Sequence, residues 1–143
     1  MRADRHQAEQ RIEPELARGR NTCLARQRQR VGDLVELLLE PQGANADTLA
    51  GAIDAVAELP PASACEDEPM LGPPPPPAAI AEEVEALRRE VDRAHELRLL
   101  GRVEEGLALA ERMESAAKGL GYGPLLAEAL AERAKAELAG GSL

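Results

Sequence analysis

An unbroken run of five prolines, Pro73 to Pro77, divides the sequence into two parts. Proline lacks the backbone amide hydrogen and clashes with the preceding helical turn, so neither a helix nor a central strand can pass through such a run. The run is typical of the extended polyproline II form. Together with the pair Pro60-Pro61, it predicts a linker over residues 60–77, between an N-terminal segment at 1–59 and a C-terminal segment at 78–143.

The N-terminal segment has the periodicity of two helices. From about Asn21 to Glu40 aliphatic residues recur at near-helical spacing, and Pro41 with Gly43 stops the run. Pro14 is expected to break anything earlier into a short separate piece.

The second helix of this segment is predicted over residues 46–58. Asn45 or Asp47 is the expected N-cap, because either side chain can accept a hydrogen bond from the free amides of the first turn. Its apolar residues share one face at helical spacing. They are Leu49, Ile53 and Val56.

The C-terminal segment predicts three helices in close succession, at residues 78–100, 102–118 and 124–139. Gly101 turns the chain after the first helix, and a glycine-rich stretch at 119–123 separates the second from the third. Nothing in the sequence has the alternating pattern of a strand. The sequence therefore predicts an all-α fold built from antiparallel helix pairs.

The sequence contains no constellation of residues that is typical of an enzyme. His6 and His95 stand alone, without the further imidazoles or thiols that a metal site needs. The glycines at 119–123 follow a helix rather than a strand and precede no Gly-Lys-Ser/Thr, so they do not predict a phosphate loop. We therefore expect a non-catalytic chain with no cofactor, no metal and no small-molecule substrate.

Cys23 and Cys65 are too few for a disulfide framework and lack the spacing of a zinc site. From the residues alone, both are expected to serve as small buried apolar side chains.

The charge of the chain limits its partners. There are 17 basic and 26 acidic residues, a net charge of −9, which disfavours binding to a phosphate backbone over the whole surface. A local exception is the Arg-dense stretch from Arg18 to Arg30. It leaves weak nucleic-acid binding as a third candidate function, after the protein binding and self-association considered below. That stretch has no interleaved aromatic residues for base stacking. No apolar run approaches the ~20 residues of a membrane span, so none is expected.

Helix pairs joined by a glycine are similar to the tetratricopeptide repeat, in which small residues let the two helices approach closely. Gly101 and Gly141 are 40 residues apart, slightly more than the ~34 of a standard repeat. The pattern predicts one full repeat and the first helix of a second, the start of an α-solenoid. The residues that carry it are Ala94, Leu97, Gly101, Val103, Gly106, Ala110, Leu130, Ala134 and Gly141.

From about Glu9 onward the sequence resembles one particular region of a known family. The matching segments, in order, are Asn21–Arg28, Val31–Leu38, Ala52–Pro60, Gly101–Ala110 and Leu120–Leu130, with Cys65 soon after the third. They are similar to the region between the kinase domain and the tetratricopeptide array of large serine/threonine protein kinases of the myxobacterial type. The chain has no glycine-rich nucleotide loop and no His-Arg-Asp, Asp-Phe-Gly or Ala-Pro-Glu motif, so no catalytic residue of the family is assigned.

The resemblance implies a regulatory, protein-binding module in bacterial signal transduction, associated with a kinase and binding on the concave side of its helix pairs. Protein partners are therefore expected, a second copy among them. Without a membrane span the chain is expected to be cytoplasmic. In many relatives a span precedes this region and places it outside the cytoplasm, and in such an oxidising compartment Cys23 and Cys65 would pair.

The alternative to partner binding is a homo-oligomerising structural module. In the first helix of the C-terminal segment the apolar residues also follow a heptad, which leaves a coiled coil open as the means of association. The heptad residues are Ile80, Val84, Leu87, Val91 and Ala94.

Overall fold

The computed structural model describes residues 2–43, 45–66 and 73–141, with side chains described at 14–42, 45–66 and 73–141. Within these ranges the chain forms five α-helices and no strand, so the predicted all-α fold is confirmed. The helices are α1 (Arg2–Leu39), α2 (Ala46–Ala57), α3 (Ala81–Leu99), α4 (Val103–Leu120) and α5 (Gly123–Ala139). Short 3-10 turns lie at Pro41–Gly43, Ala62–Cys65 and Ala78–Ile80.

The first helix continues through Pro14, so the prediction that this proline separates two pieces was wrong. Proline inside a helix removes one backbone hydrogen bond and costs about 3 kcal/mol. Starting a second helix would instead require a new and unfavourable nucleus. The chain therefore continues as one helix through Pro14 instead of forming two separate helices.

The described residues form two compact units, which cut the chain differently from the three segments expected from the sequence. The disulfide unit contains the described residues up to Arg28 and those from Pro60 to Pro73. The bundle unit contains those from Gln29 to Leu59 and from Pro74 onward. Ser142 and Leu143, the last residues of the predicted repeat region, lie outside the described residues.

The disulfide unit is held by a bond between Cys23 and Cys65, whose Cα atoms are 5.6 Å apart. The expectation from the residues alone, that both cysteines act as small buried apolar side chains, was wrong. The pairing that the family resemblance implies for an oxidising compartment is present. Cys65 is buried at the end of a 3-10 turn, and the Nε of Arg20 donates to the backbone oxygen of Glu66, 3.3 Å away. The segment after Pro60 therefore returns to α1, at a position 42 residues before Cys65 in the sequence. No local pattern predicts this proximity.

The core of the bundle unit consists of two clusters. Met113 of α4 packs against both, and the only tyrosine of the sequence, Tyr122, closes the second cluster and donates its hydroxyl to the backbone oxygen of Pro74. The first cluster contains Leu34, Leu37, Ala55, Ala94, Leu97, Leu100, Leu109 and Ala110. The second contains Val84, Val91, Ala117, Tyr122, Leu125 and Ala129.

The α2 helix packs on the bundle through its small residues rather than its large ones. The predicted cap is confirmed, since the side chain of Asn45 accepts from the amide of Thr48 at 2.8 Å. Gly51 lies so close to α3 that a Cβ atom there would be 2.4 Å from the backbone oxygen of Leu99. Ala55 is fully buried beside it. The large aliphatic residues of α2 are consequently left on the solvent side.

Candidate functional site

The α3–α4 hairpin is built around two glycines. Gly101 has a φ of +80°, a left-handed conformation that favours glycine, and it ends α3 sharply. Gly106 faces α3 so closely that a Cβ atom would lie 2.9 Å from the backbone oxygen of Ala94 and 3.3 Å from the amide of Arg98. The two helices thus cross at the small residues that the sequence pattern singled out.

The end of α5 repeats the end of α3 at an offset of 40 residues. At the first turn, the amide of Leu100 donates to Glu96 at 3.0 Å and that of Gly101 to Arg98 at 3.1 Å. At the second turn, the amide of Gly140 donates to Ala136 at 2.9 Å and that of Gly141 to Leu138 at 3.2 Å.

Gly141 has a φ of +71°, close to that of Gly101. Both helices therefore end with the same backbone geometry, each at a glycine that the sequence predicted as a turn.

The two halves of the predicted repeat signature differ in burial. In the α3–α4 hairpin Ala94, Leu97, Gly106 and Ala110 are buried and Val103 is half-buried. On α5, Leu130 is 43% exposed and Ala134 is exposed. Glu137 takes the place that Leu97 has on α3.

The heptad of α3 is used inside the bundle. Val84, Val91 and Ala94 are buried, and Ile80 and Leu87 pack against the second cluster. These side chains are therefore covered by other helices of the same chain. Among the described helices of the repeat region, the remaining exposed apolar stripe is on α5.

Ion pairs join α3 to α5 along one face, which we call the α3–α5 face. Arg88 contacts Glu128 at 3.2 Å, and it also pairs with Glu85 on its own helix at 2.7 Å. One turn further along, His95 and Arg98 both contact Glu132, at 3.0 and 2.7 Å. These charged side chains are mostly half-buried, so the face is preorganised and polar.

Glu132 is the buried centre of that face. Burial favours the protonated form of its carboxyl, but hydrogen bonds from His95 and Arg98 outweigh burial and hold the pKa below its ordinary value of 4.5. The Nε2 of His95 also lies 3.7 Å from the carboxylate of Glu58, which follows α2. The His95 ring therefore lies between two carboxylates.

A second buried carboxylate fixes α1 to α3. Glu96 is fully buried, and its Oε1 accepts from the Nε and Nη2 of Arg30 at 3.0 and 2.8 Å. Its Oε2 accepts no hydrogen bond from any described residue. Burial raises the pKa of Glu96, although the hydrogen bond and charge of Arg30 act in the opposite direction. The helical pattern gave no signal for this pair, because Glu96 lies among the aliphatic residues of α3.

Arg93 and Arg102 share a further carboxylate, Glu40, at 3.1 and 2.6 Å. Two shallow grooves of about 420 and 310 Å³ flank α3 near this cluster, and Glu90 and Arg93 line both. The lining is charged with both signs, which is typical of a solvated protein surface rather than of a small-molecule pocket.

No three His, Cys, Asp or Glu side chains of the described part of the chain are placed to hold a metal ion. The side chain of His6 lies outside the described residues. Among the described helices none is long and apolar enough to cross a membrane.

The Arg-dense stretch is partly engaged in intramolecular contacts. Arg30 pairs with Glu96, and Arg20 donates to the backbone of Glu66.

No protein-family model, curated protein or solved structure matches the chain.

Proposed function

We propose that the chain is a non-catalytic protein-binding module built from tetratricopeptide-like helix pairs. The observation that carries the proposal is the repetition of the α3 terminus at the end of α5, with two corresponding backbone hydrogen bonds and a left-handed glycine 40 residues on. Stacked helix pairs bury one face against the next pair and present a continuous surface to a partner. In this chain that surface is the α3–α5 face.

The chemistry of the α3–α5 face suits a polypeptide partner. Arg88, His95 and Arg98 alternate with Glu128 and Glu132, so the face offers both donors and acceptors held in place by one another. Protein interfaces gain specificity from such complementary charges. A regulatory segment of a bacterial serine/threonine protein kinase is the setting that the sequence resemblance suggests for this module.

The disulfide bears on the compartment. Disulfides persist in oxidising compartments and are rare in the cytosol. The bond between Cys23 and Cys65 therefore favours an extracytoplasmic location over the cytoplasmic one expected without a membrane span. A kinase-associated module outside the cytoplasm would act as a sensor rather than as a substrate-recruiting domain.

Self-association is the second candidate function. It is favoured by the apolar stripe on α5, where Leu130 and Leu138 are 43% and 59% exposed on either side of Ala134. A small residue between two leucines lets a second helix approach closely.

Site-specific photo-crosslinking tests the proposal. A photoreactive amino acid is introduced on the α3–α5 face at Glu85 or Lys135, both exposed, and at the exposed Ser115 of α4 as the matched control. We expect one defined adduct with a host protein from the first two positions and none from the third. Equal adducts at Ser115, or no adduct at any position, would contradict the proposal. An adduct of twice the chain mass would instead support self-association.

A further inference from the structure

The proline run ends in a segment that the bundle unit holds in place, from Pro74 to Pro77. At its start the hydroxyl of Tyr122 donates to the backbone oxygen of Pro74. At its end the amide of Ile80 donates to the backbone oxygen of Pro77, 3.0 Å away. Tyr122 and Ile80 both pack in the second core cluster. A spacer requires length alone, and two attachments to one core are more than that role needs.

The segment has the polyproline II form. Proline fixes its own φ at about −65°, and any residue that precedes a proline is pushed out of the helical region. Both restrictions act at every position from Pro73 to Pro76, and Pro77 has φ −53° and ψ 141°. The structure places no helix, strand or turn over residues 73–77. The extended form is therefore present before any partner binds.

The exposed prolines form two of the three edges of this extended helix. Polyproline II has about three residues per turn, so residues three apart share an edge. Pro74 and Pro77 share one edge and are exposed, and Pro75 is exposed on the next. Pro76, on the third edge, is half-buried. The segment therefore presents an apolar ridge with two open sides.

The backbone of the segment offers hydrogen-bond acceptors and no donors. Proline has no amide hydrogen, so each residue presents only its carbonyl oxygen. Nothing among the described residues donates to the carbonyl oxygens of Pro75 and Pro76. A matching surface needs flat apolar rings for the prolines and N–H or O–H donors for these oxygens. Tyrosine and tryptophan supply both in one side chain, and Tyr122 already donates in this way to Pro74.

We propose that Pro74–Pro77 is a docking segment for a partner domain whose groove is lined by tyrosine and tryptophan side chains. The rings of the groove would pack on the two exposed edges, and their polar hydrogens would bond the carbonyl oxygens of Pro75 and Pro76. The segment itself carries no charge, so its recognition should depend little on salt. The proposal makes no use of the α3–α5 face and does not rest on the module function proposed above.

The probe is a purified WW-type domain, a class that has such an aromatic groove, chosen because it binds a free octaproline peptide. Octaproline is the positive control. Isothermal titration compares the full chain with a free peptide of residues 73–80, at low and moderate salt. We expect the full chain to bind about threefold or more tighter than the peptide, because the bundle unit has already ordered the segment.

The variant Tyr122→Phe tests that ordering. It keeps the aromatic ring in the second cluster and removes the donor to Pro74, so the affinity of the chain should fall toward that of the free peptide. Circular dichroism verifies that the variant keeps its helix content.

Two matched single variants locate the contact. Pro75→Ala removes an exposed ring from an outward edge, and Pro76→Ala removes a half-buried ring from the inner edge. Both keep the carbonyl oxygen and lose one fixed φ, so the edge that loses its ring is the main difference between them. We expect Pro75→Ala to weaken binding about tenfold and Pro76→Ala less than about threefold.

Three results would overturn the proposal. The domain could bind octaproline and fail to bind the full chain, which would mean that the segment is not presented to an aromatic groove. Pro75→Ala and Pro76→Ala could weaken binding equally, which would mean that the outward edges are not the ones recognised. Binding could also fall steeply with salt, which would mean that charged residues elsewhere on the chain attract the domain.

Discussion

Replacing Arg30 with alanine is expected to lower the free energy of unfolding by about 3–5 kcal/mol at neutral pH. Arg30 is the partner of the fully buried Glu96, and removing it leaves a carboxylate in the bundle core without a counter-charge. A buried charge that loses its partner costs far more than the pair contributes, because the desolvation penalty is no longer offset. Urea unfolding followed by circular dichroism measures the effect.

The same variant should depend on pH in a defined direction. Burial raises the pKa of Glu96 above 4.5, and Arg30 opposes that rise, so its removal raises the folded-state pKa further. A carboxyl whose pKa is higher in the folded state binds its proton more tightly there, so its favourable contribution is complete below 4.5 and is lost as the pH rises through the folded-state pKa. The deficit of Arg30→Ala is therefore largest near neutral pH and shrinks on acidification.

A double variant separates the charge from the packing. Changing Arg30 and Glu96 together to leucine removes both charges and keeps an apolar side chain at each position, so most of the lost stability should return. If the double variant were as unstable as Arg30→Ala, an uncompensated carboxylate could not be the cause. Equal deficits at about pH 7 and about pH 4 would contradict the account in the same way.

Reducing the disulfide is expected to lower the free energy of unfolding by about 4 kcal/mol. The bond joins positions 42 residues apart, and closing a loop of that length removes conformational entropy from the unfolded chain. Chemical unfolding with and without a reductant measures the difference. Amide exchange should also rise at residues 14–28 and 60–66, since the two stretches of the disulfide unit lose their covalent link.

The variant Cys23→Ser with Cys65→Ser serves as the control. Its unfolding curve should match that of the reduced chain and should not respond to reductant. If oxidised and reduced chains unfold at the same denaturant concentration, the loop-closure argument for this bond fails.

Local patterns in the sequence were sufficient for the helices and their caps. The periodic aliphatic residues, the Asn45 cap and the turn at Gly101 depend on neighbours within a few positions, and each is confirmed. The same reasoning failed at Pro14, where it predicted a break and the helix continues. The cost of nucleating a second helix depends on a longer stretch of chain than the neighbours of the proline.

Long-range packing decided the remaining features. The approach of Cys65 to Cys23 and the pairing of Arg30 with Glu96 join positions 42 and 66 residues apart, and helical spacing carries no information at that range. The orientation of α2 follows from Gly51, whose missing side chain matters only against the backbone of Leu99. Periodicity predicts that the most hydrophobic face of a helix is buried. In α2 the buried face is instead the one whose small residues fit against the backbone of α3.

The candidate site was predictable in part for the same reasons. The small residues Ala94, Gly106 and Ala110 were identified because a close helix crossing requires them in any hairpin of this kind. The ion pairs of the α3–α5 face were not identified, because Arg98 and Glu132 meet only once the hairpin has formed. The exposure of Leu130 and Ala134 likewise depends on what packs beside α5.

The central claim, that α5 begins a second helix pair like α3–α4, is tested most directly by adding a partner helix after α5. A copy of residues 102–120 is fused after Gly141, in place of Ser142 and Leu143, and a control fusion carries Gly106→Leu in the added copy. We expect the first fusion to gain the circular dichroism signal of about 18 helical residues and to unfold at a higher temperature, with a smaller gain for the control. An added segment that stays non-helical, or that gains equally in both fusions, would contradict the claim.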